Sequence, residues 1–194
     1  MTDVRPWTYA ALYGTLWGAL EATIGTAIYL GKLPLKGMVM GLLGLLCLVC
    51  LRRLQPRAGV CLLAGAVAIF LKIFTLGGLY PGPIIGIAVQ ALAVEIAMTV
   101  SGGRSIGAAI GGAVTLATNP LQMVGMMWLV TGSEAIRSYL EVLREGAAFL
   151  GFGGLRPVMI FAAIVVAEGL VGAVGGFWAW WVAGRVMRRL GERE

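Results

Sequence analysis

The chain has 194 residues, of which 59% are hydrophobic and only 12% charged, about half the charge of ordinary soluble domains. With a mean hydropathy of +0.91, a water-soluble core of this size has no room for so much apolar surface, which excludes a soluble enzyme domain and a disordered regulator. The 15 Lys+Arg exceed the 9 Asp+Glu, and in such a chain the excess reads as cytoplasmic loop charge rather than as a nucleic-acid footprint.

In chain order, six hydrophobic segments emerge, over 7–30, 35–51, 58–76, 83–100, 106–130 and 157–182. Each approaches the roughly 20 apolar residues a helix needs to cross a bilayer. Connections such as Arg52-Arg53-Leu54-Gln55-Pro56-Arg57 and Ser101-Gly102-Gly103-Arg104 combine Gly or Pro with polar residues, as turn chemistry requires. The segments lack the polar/apolar alternation of barrel strands. The first is too long for a signal-peptide core and carries Glu21, so it is expected to remain as a span. The predicted fold is an all-α integral membrane protein, a single domain over 1–194 with six transmembrane helices and one outer amphipathic helix.

That amphipathic helix is predicted over 133–150. Ile136, Tyr139, Leu140, Leu143, Ala147 and Leu150 recur at three- and four-residue spacing, while Glu134, Arg137, Glu141, Arg144 and Glu145 occupy the opposite face. Ser133 suits an N-cap and Glu134 the first turn. Such a helix lies on the membrane surface, as an inert connector or as a lid over a pocket.

Alternating the segments across the membrane places Arg5, Arg52, Arg53, Arg57, Arg104, Arg185, Arg188, Arg189 and Arg193 on one side. Lys32, Lys36, Arg137, Arg144 and Arg156 fall on the other. The positive-inside rule then sets both termini in the cytoplasm of a prokaryotic-type inner (cell) membrane. Trp178, Trp180 and Trp181 fall at the inner interface, where indoles prefer to lie.

The chemical content is the polar set inside the segments: Glu21, Lys72, Gln90, Glu95, Asn119, Gln122 and Glu168. A charge in the bilayer core costs at least about 2.5–3.5 kcal/mol on insertion scales, so such groups face protein or a cavity. At about 1.5 Å rise per residue, all but Glu95 fall in the outer half or near the midplane. Glu21, Lys72, Gln90, Asn119, Gln122 and Glu168 are therefore the candidate substrate-binding residues, with Glu168 at the floor. A structural alternative is that Lys72 pairs with Glu21 or Glu168. Asn119-Pro120 adds a mid-span proline, which removes a backbone donor beside a polar side chain. Trp17, Tyr80 and Trp128 are candidate aromatic flanks.

Other chemistry is missing. The chain has no His, hence no imidazole base, no His-containing metal site and no Ser-His-Asp triad. Asp3 stands near the N-terminus as the single Asp. Cys47, Cys50 and Cys61 fall short of the usual four thiolates of an iron–sulfur cluster and read as inert buried thiols. No catalytic residue, metal or cofactor is expected. Absence of a phosphate-binding glycine loop means the chain does not hydrolyse ATP itself.

The first segment carries a ladder of small residues, Ala10, Gly14, Gly18 and Ala22, and a second on an adjacent face, Ala11, Thr15, Ala19, Thr23 and Ala27. Small residues four apart let another helix approach closely. The first ladder is assigned either to docking a partner's helix or to packing within the chain.

Six spans in under 200 residues, internal termini, the first-segment ladder, outward loops over a polar outer pocket and the stretch LWGALEATIGTAIYLGKLPLKGMVMG over 16–41 together resemble the substrate-binding S component of energy-coupling factor (ECF) transporters. The resemblance covers nearly the whole chain at the level of architecture. It implies capture of a vitamin or small-metabolite solute at the outer ends of the spans. It also implies a transmembrane coupling subunit docked on Ala10, Gly14, Gly18 and Ala22, with separate ATPase subunits supplying energy. Cobalt and nickel members use an N-terminal His, which this chain lacks. The alternative is a non-transport membrane anchor or assembly subunit of a larger complex. Three acidic groups against one Lys within the segments favour a neutral or cationic solute.

Overall fold

The structure, a computed structural model, describes residues 4–31, 36–74, 81–149 and 151–191. These residues form seven helices and no strand: α1 (Arg5–Leu30), α2 (Lys36–Leu54), α3 (Val60–Ile73), α4 (Pro81–Val100), α5 (Ser105–Thr131), α6 (Ser133–Phe149) and α7 (Pro157–Gly191). The all-helical expectation holds. Four of the helices, α2, α4, α5 and α7, are long and apolar enough to cross a membrane, which makes this a membrane protein by length and composition. The helix α3 is apolar but short, and α1 dilutes its apolar residues with Gly, Ala, Thr and Glu21. Tyr80 and Leu150 lie outside the described residues.

The bundle is an arc with one helix inside it. Contacts run α1 to α3, α3 to α4, α4 to α5 and α5 to α7, and α2 touches all five of these helices. The sequence of α2 suits the central place: Leu45, Leu48, Val49 and Leu51 are fully buried, while its glycines admit neighbours. The α7 helix continues as helix past residue 182 to Gly191, the added turns carrying Arg185, Arg188 and Arg189. Dispersion and close packing, not the hydrophobic effect, hold helices together in lipid, which favours small residues at contacts. The contact between α5 and α7 shows it: a Cβ on Gly112 would overlap the Gly172 carbonyl, and one on Gly172 would overlap that of Gly112.

The first-segment ladder works in the same way, within the chain. A Cβ on Gly14 would lie 2.6 Å from the Ala64 carbonyl, and one on Gly18 would lie 2.7 Å from Leu71, both on α3. Ala10 is fully buried in the core and Ala22 is half-buried. Of the ladder expected to dock a partner, Gly14 and Gly18 face α3 and Ala10 lies in the core, which is the alternative of packing within the chain for this ladder. The adjacent ladder, Ala11, Thr15, Ala19, Thr23 and Ala27, is exposed along its whole length. The Thr15 and Thr23 hydroxyls donate to the Ala11 and Ala19 carbonyls at 2.9 and 2.8 Å, so this stripe leaves neither hydroxyl unbonded.

Gly172→Leu should drive α7 away from α5. Overpacking of this kind costs about 1–3 kcal/mol or more, so the midpoint of thermal unfolding in detergent should fall by several degrees, whereas Gly125→Leu, at a glycine with open space around it, should leave it nearly unchanged.

Candidate functional site

A cavity of about 660 Å³ opens at the end of the bundle where α2, α4 and α7 begin and α5 finishes. Its size lies within the range of small-molecule sites, about 300–1,000 Å³. Of the six predicted substrate-binding residues, Glu21, Gln90, Asn119, Gln122 and Glu168 line it. They come from α1, α4, α5 and α7, so the site exists only when the whole bundle is assembled.

Lys72 stands behind the wall. Its ammonium lies 3.2 Å from Glu21 Oε2 and donates to the Glu21 backbone carbonyl at 3.1 Å. Both side chains are almost completely buried. The pairing alternative for Lys72 is the one the structure adopts, which makes Lys72 the partner of a lining residue rather than a lining residue. Two amides are likewise partly committed. Gln90 Nε2 donates to the Gly41 carbonyl at 2.7 Å, tying α4 to α2, and Gln122 Nε2 donates to the Gly82 carbonyl, tying α5 to the first turn of α4.

Asn119 and Glu168 differ from these. The Asn119 amide faces the Glu168 carboxylate, yet Asn119 Nδ2 and Glu168 Oε2 are both buried without a hydrogen-bond partner. Buried polar atoms are nearly always bonded; Trp17 Nε1, Arg52 Nε and Thr115 Oγ1 are likewise without a partner, but of all these residues only Asn119 and Glu168 line the cavity among the described residues. Pro120, beside Asn119, is buried and also lines the cavity.

The amphipathic helix α6 contributes Tyr139 to the same cavity. The ring packs edge-on against Phe161 of α7, with centroids 6.4 Å apart. Burial, and secondarily the Glu168 carboxylate, push the Tyr139 phenol up from its usual pKa, so it keeps its proton and remains a donor. The predicted polar face of α6 is exposed, and its Glu134–Arg137 pair at 3.4 Å is too solvated to hold the helix in place.

Sequence reasoning missed part of the lining. Met38, Met40, Met123, Met126 and Met127 are five of the chain's nine methionines, and all face the cavity. Inside a hydrophobic run a methionine gives no signal that separates it from core or lipid-facing residues. Lys36 also lines the cavity, although its place at a segment boundary reads as loop charge. The aromatic flanks are corrected: Trp17 is fully buried in the core, where a Cβ on Gly44 would meet its indole at 2.7 Å. Trp128 is 61% exposed and does not line the cavity.

The remaining intramembrane acid, Glu95, is far from the cavity in function. Its two carboxylate oxygens accept the Gly59 and Cys61 backbone N–H groups, each at 2.9 Å, and the Arg52 guanidinium lies 3.5 Å away. Cys47 and Cys61 are buried free thiols, and no cluster of metal-ligating His, Cys, Asp or Glu occurs among the described residues.

No family model, curated protein or solved structure matches this chain.

Removing one member of a buried ion pair is far more costly than removing both, because it strands the other charge. Lys72→Met should therefore destabilise the protein by about 3–5 kcal/mol, and adding Glu21→Gln should restore most of the loss. Thermal unfolding of the single and double variants in detergent measures this; equal midpoints for the two would show that the pair is not coupled.

Proposed function

We propose that the protein is the membrane-embedded substrate-capture subunit of an ATP-driven uptake transporter for a vitamin or small metabolite, of the ECF S-component type. The observation that carries this reading is the cavity: five polar residues spaced from position 21 to position 168 converge on one pocket of about 660 Å³. An assembly anchor needs its charged groups paired, and Lys72 with Glu21 and Arg52 with Glu95 form ion pairs. Glu168 has no ion pair among the described residues, and of the residues with a buried polar atom left without a hydrogen bond, Asn119 and Glu168 line the cavity, which favours capture over anchoring.

In this reading α1 and α3 join α2, α4, α5 and α7 as six spans of a prokaryotic-type cell membrane, with both termini in the cytoplasm. The cavity then opens outward, beneath α6 as a lid. The opposite end carries Arg53, stacked 3.7 Å over Trp180, and Arg185, stacked 3.5 Å over Trp181, an arrangement suited to the cytoplasmic headgroup region. A solute enters from outside, displaces water from the methionine-lined walls and meets the amide and carboxylate groups at depth. Energy comes from separate ATPase subunits through a transmembrane coupling subunit. The surface available to that subunit is the exposed ladder Ala11, Thr15, Ala19, Thr23 and Ala27, since the other ladder is filled by α3.

Native mass spectrometry of gently purified protein tests capture directly. A small molecule should remain bound to the wild type, and Asn119→Ala should weaken its retention by roughly five- to a hundred-fold, the effect of about 1–3 kcal/mol for one buried hydrogen bond. A cavity that retains only water and lipid in both proteins would return the chain to the anchor reading. Coupling is tested separately: Ala19→Leu should leave solute retention intact and abolish uptake by cells, because it blocks helix approach only on the exposed face of α1.

A further inference from the structure

Three carboxylates lie within the apolar helices: Glu21, Glu95 and Glu168. Two are neutralised in the fold. Glu21 has Lys72 at 3.2 Å, and Glu95 has Arg52 at 3.5 Å together with two backbone N–H donors. Glu168 forms no ion pair among the described residues, and its Oε2 is buried without a hydrogen-bond partner. Lys36, at the start of α2, lines the same cavity, and the charges that act on it are those of Lys72 and Glu21. Two uncharged groups lie close to Glu168 on the cavity wall, the Asn119 amide on α5 and the Tyr139 phenol on α6.

We propose that the cavity takes an organic cation, an amine or amidine on an apolar and polarisable body, with its charged head on Glu168. This rests on the reading of the cavity as a solute site and adds the chemical class of the solute. A carboxylate in a low-dielectric wall without a cation is costly, and intramembrane ionisable groups left unpaired mark ligand or ion positions. The geometry suits a head with several N–H donors: Glu168 accepts one or two of them, and the Asn119 side-chain oxygen accepts another once the amide turns. The remaining wall suits the body of such a ligand. Met38, Met40, Met123, Met126 and Met127 are unbranched and polarizable, adapt to irregular shapes and make favourable contacts with aromatic ring edges. An anionic head is disfavoured, because it would meet Glu168 in a medium that screens charge poorly.

Isothermal titration of the full chain in detergent with three probes of one shape separates charge from fit: benzamidinium, its neutral isostere benzamide, and benzoate. Benzamidinium should bind the wild type at least about tenfold more tightly than benzamide, the gain expected from one charge-assisted hydrogen bond, and benzoate should bind weakest. Glu168→Gln should remove the preference by weakening benzamidinium while leaving benzamide nearly unchanged. Equal binding of benzamidinium and benzamide to the wild type overturns the inference without recourse to a variant, as does binding of none of the three. A preference that survives in Glu168→Gln also overturns it. If equal probe binding coincides with a solute retained by the wild type and lost in Asn119→Ala, the cation fails while capture stands. If the benzamidinium preference holds while Ala19→Leu leaves uptake untouched, the cation site stands and the coupling fails.

Discussion

Glu95 is the point at which three helices are fixed to one another. From α4 it accepts the backbone N–H groups of Gly59 and Cys61 at the start of α3, lies 3.5 Å from Arg52 near the end of α2, and accepts the hydroxyl of Thr99 one turn along its own helix at 3.1 Å. Arg52 closes the network by donating to the same Thr99 hydroxyl at 3.0 Å. A helix N-terminus buried in an apolar bundle leaves backbone donors that lipid cannot satisfy, and a carboxylate is the best acceptor for them, since it also complements the helix dipole. Gly59 stands at the N-cap with φ 93°, a conformation glycine adopts without penalty, which lets α3 turn back against α1 and α4. Once this end is fixed by charge, the other end is free to be built around a cavity.

The division of polar groups follows from that anchoring. At the Glu95 end, acid, guanidinium and backbone donors engage one another, with Arg52 Nε left at ion-pair distance from Glu95 without a hydrogen bond. At the opposite end the same accounting stops short: Glu21 is satisfied by Lys72, Gln90 by the Gly41 carbonyl and Gln122 by the Gly82 carbonyl, but Asn119 Nδ2 and Glu168 Oε2 are not satisfied. The paired groups give the wall rigidity. Lys72 prevents Glu21 from collapsing into the cavity as a free charge, and Gln122 holds the α4 entry against α5. The unsatisfied groups sit on α5 and α7, the pair locked by the Gly112–Gly172 contact, so their separation is set by backbone packing rather than by flexible side chains. Under the proposed reading, a site of this design would keep its geometry without a ligand, which would reduce the ordering cost of binding.

Much of this architecture is legible in the sequence, for a definite reason. A helix in lipid satisfies its own backbone, so hydrophobic run length reports helix position almost directly. The same logic singles out polar residues within the runs, which is how residues as far apart as Glu21 and Glu168 are grouped before any fold is known. Partner identity is another matter. Lys72 fits Glu21 or Glu168 equally well by charge and depth, and only the α1–α3 contact decides it. Periodicity likewise marks two small-residue faces on α1 without saying which one α3 occupies. Methionines are silent inside an apolar run, and Tyr139 on α6 reads as one more apolar position of an amphipathic helix until α6 is seen against α5 and α7.

The two faces of α1 carry the last step. The helix touches only α2 and α3 among the described elements, so it closes one end of the arc and leaves its outer side bare. Both α1 and α3 fall outside the set of helices long and apolar enough to cross a membrane by length and composition, because small residues lower the hydropathy of α1 and shortness limits α3. Their hold on each other depends on close approach, through Gly14 against Ala64 and Gly18 against Leu71, more than on partition into lipid. A helix that needs a packed neighbour on one side and offers the same small-residue spacing on the other is better suited to a second packed neighbour than to acyl chains, since dispersion gained against a helix with matching grooves exceeds that against mobile lipid. Glu21 sits on this same helix, on the buried side that faces α3 and away from the exposed ladder, and it lines the cavity. In the proposed reading, a coupling subunit seated on the exposed stripe would act on the cavity through the body of α1, whose opposite side carries Glu21 and its partner Lys72.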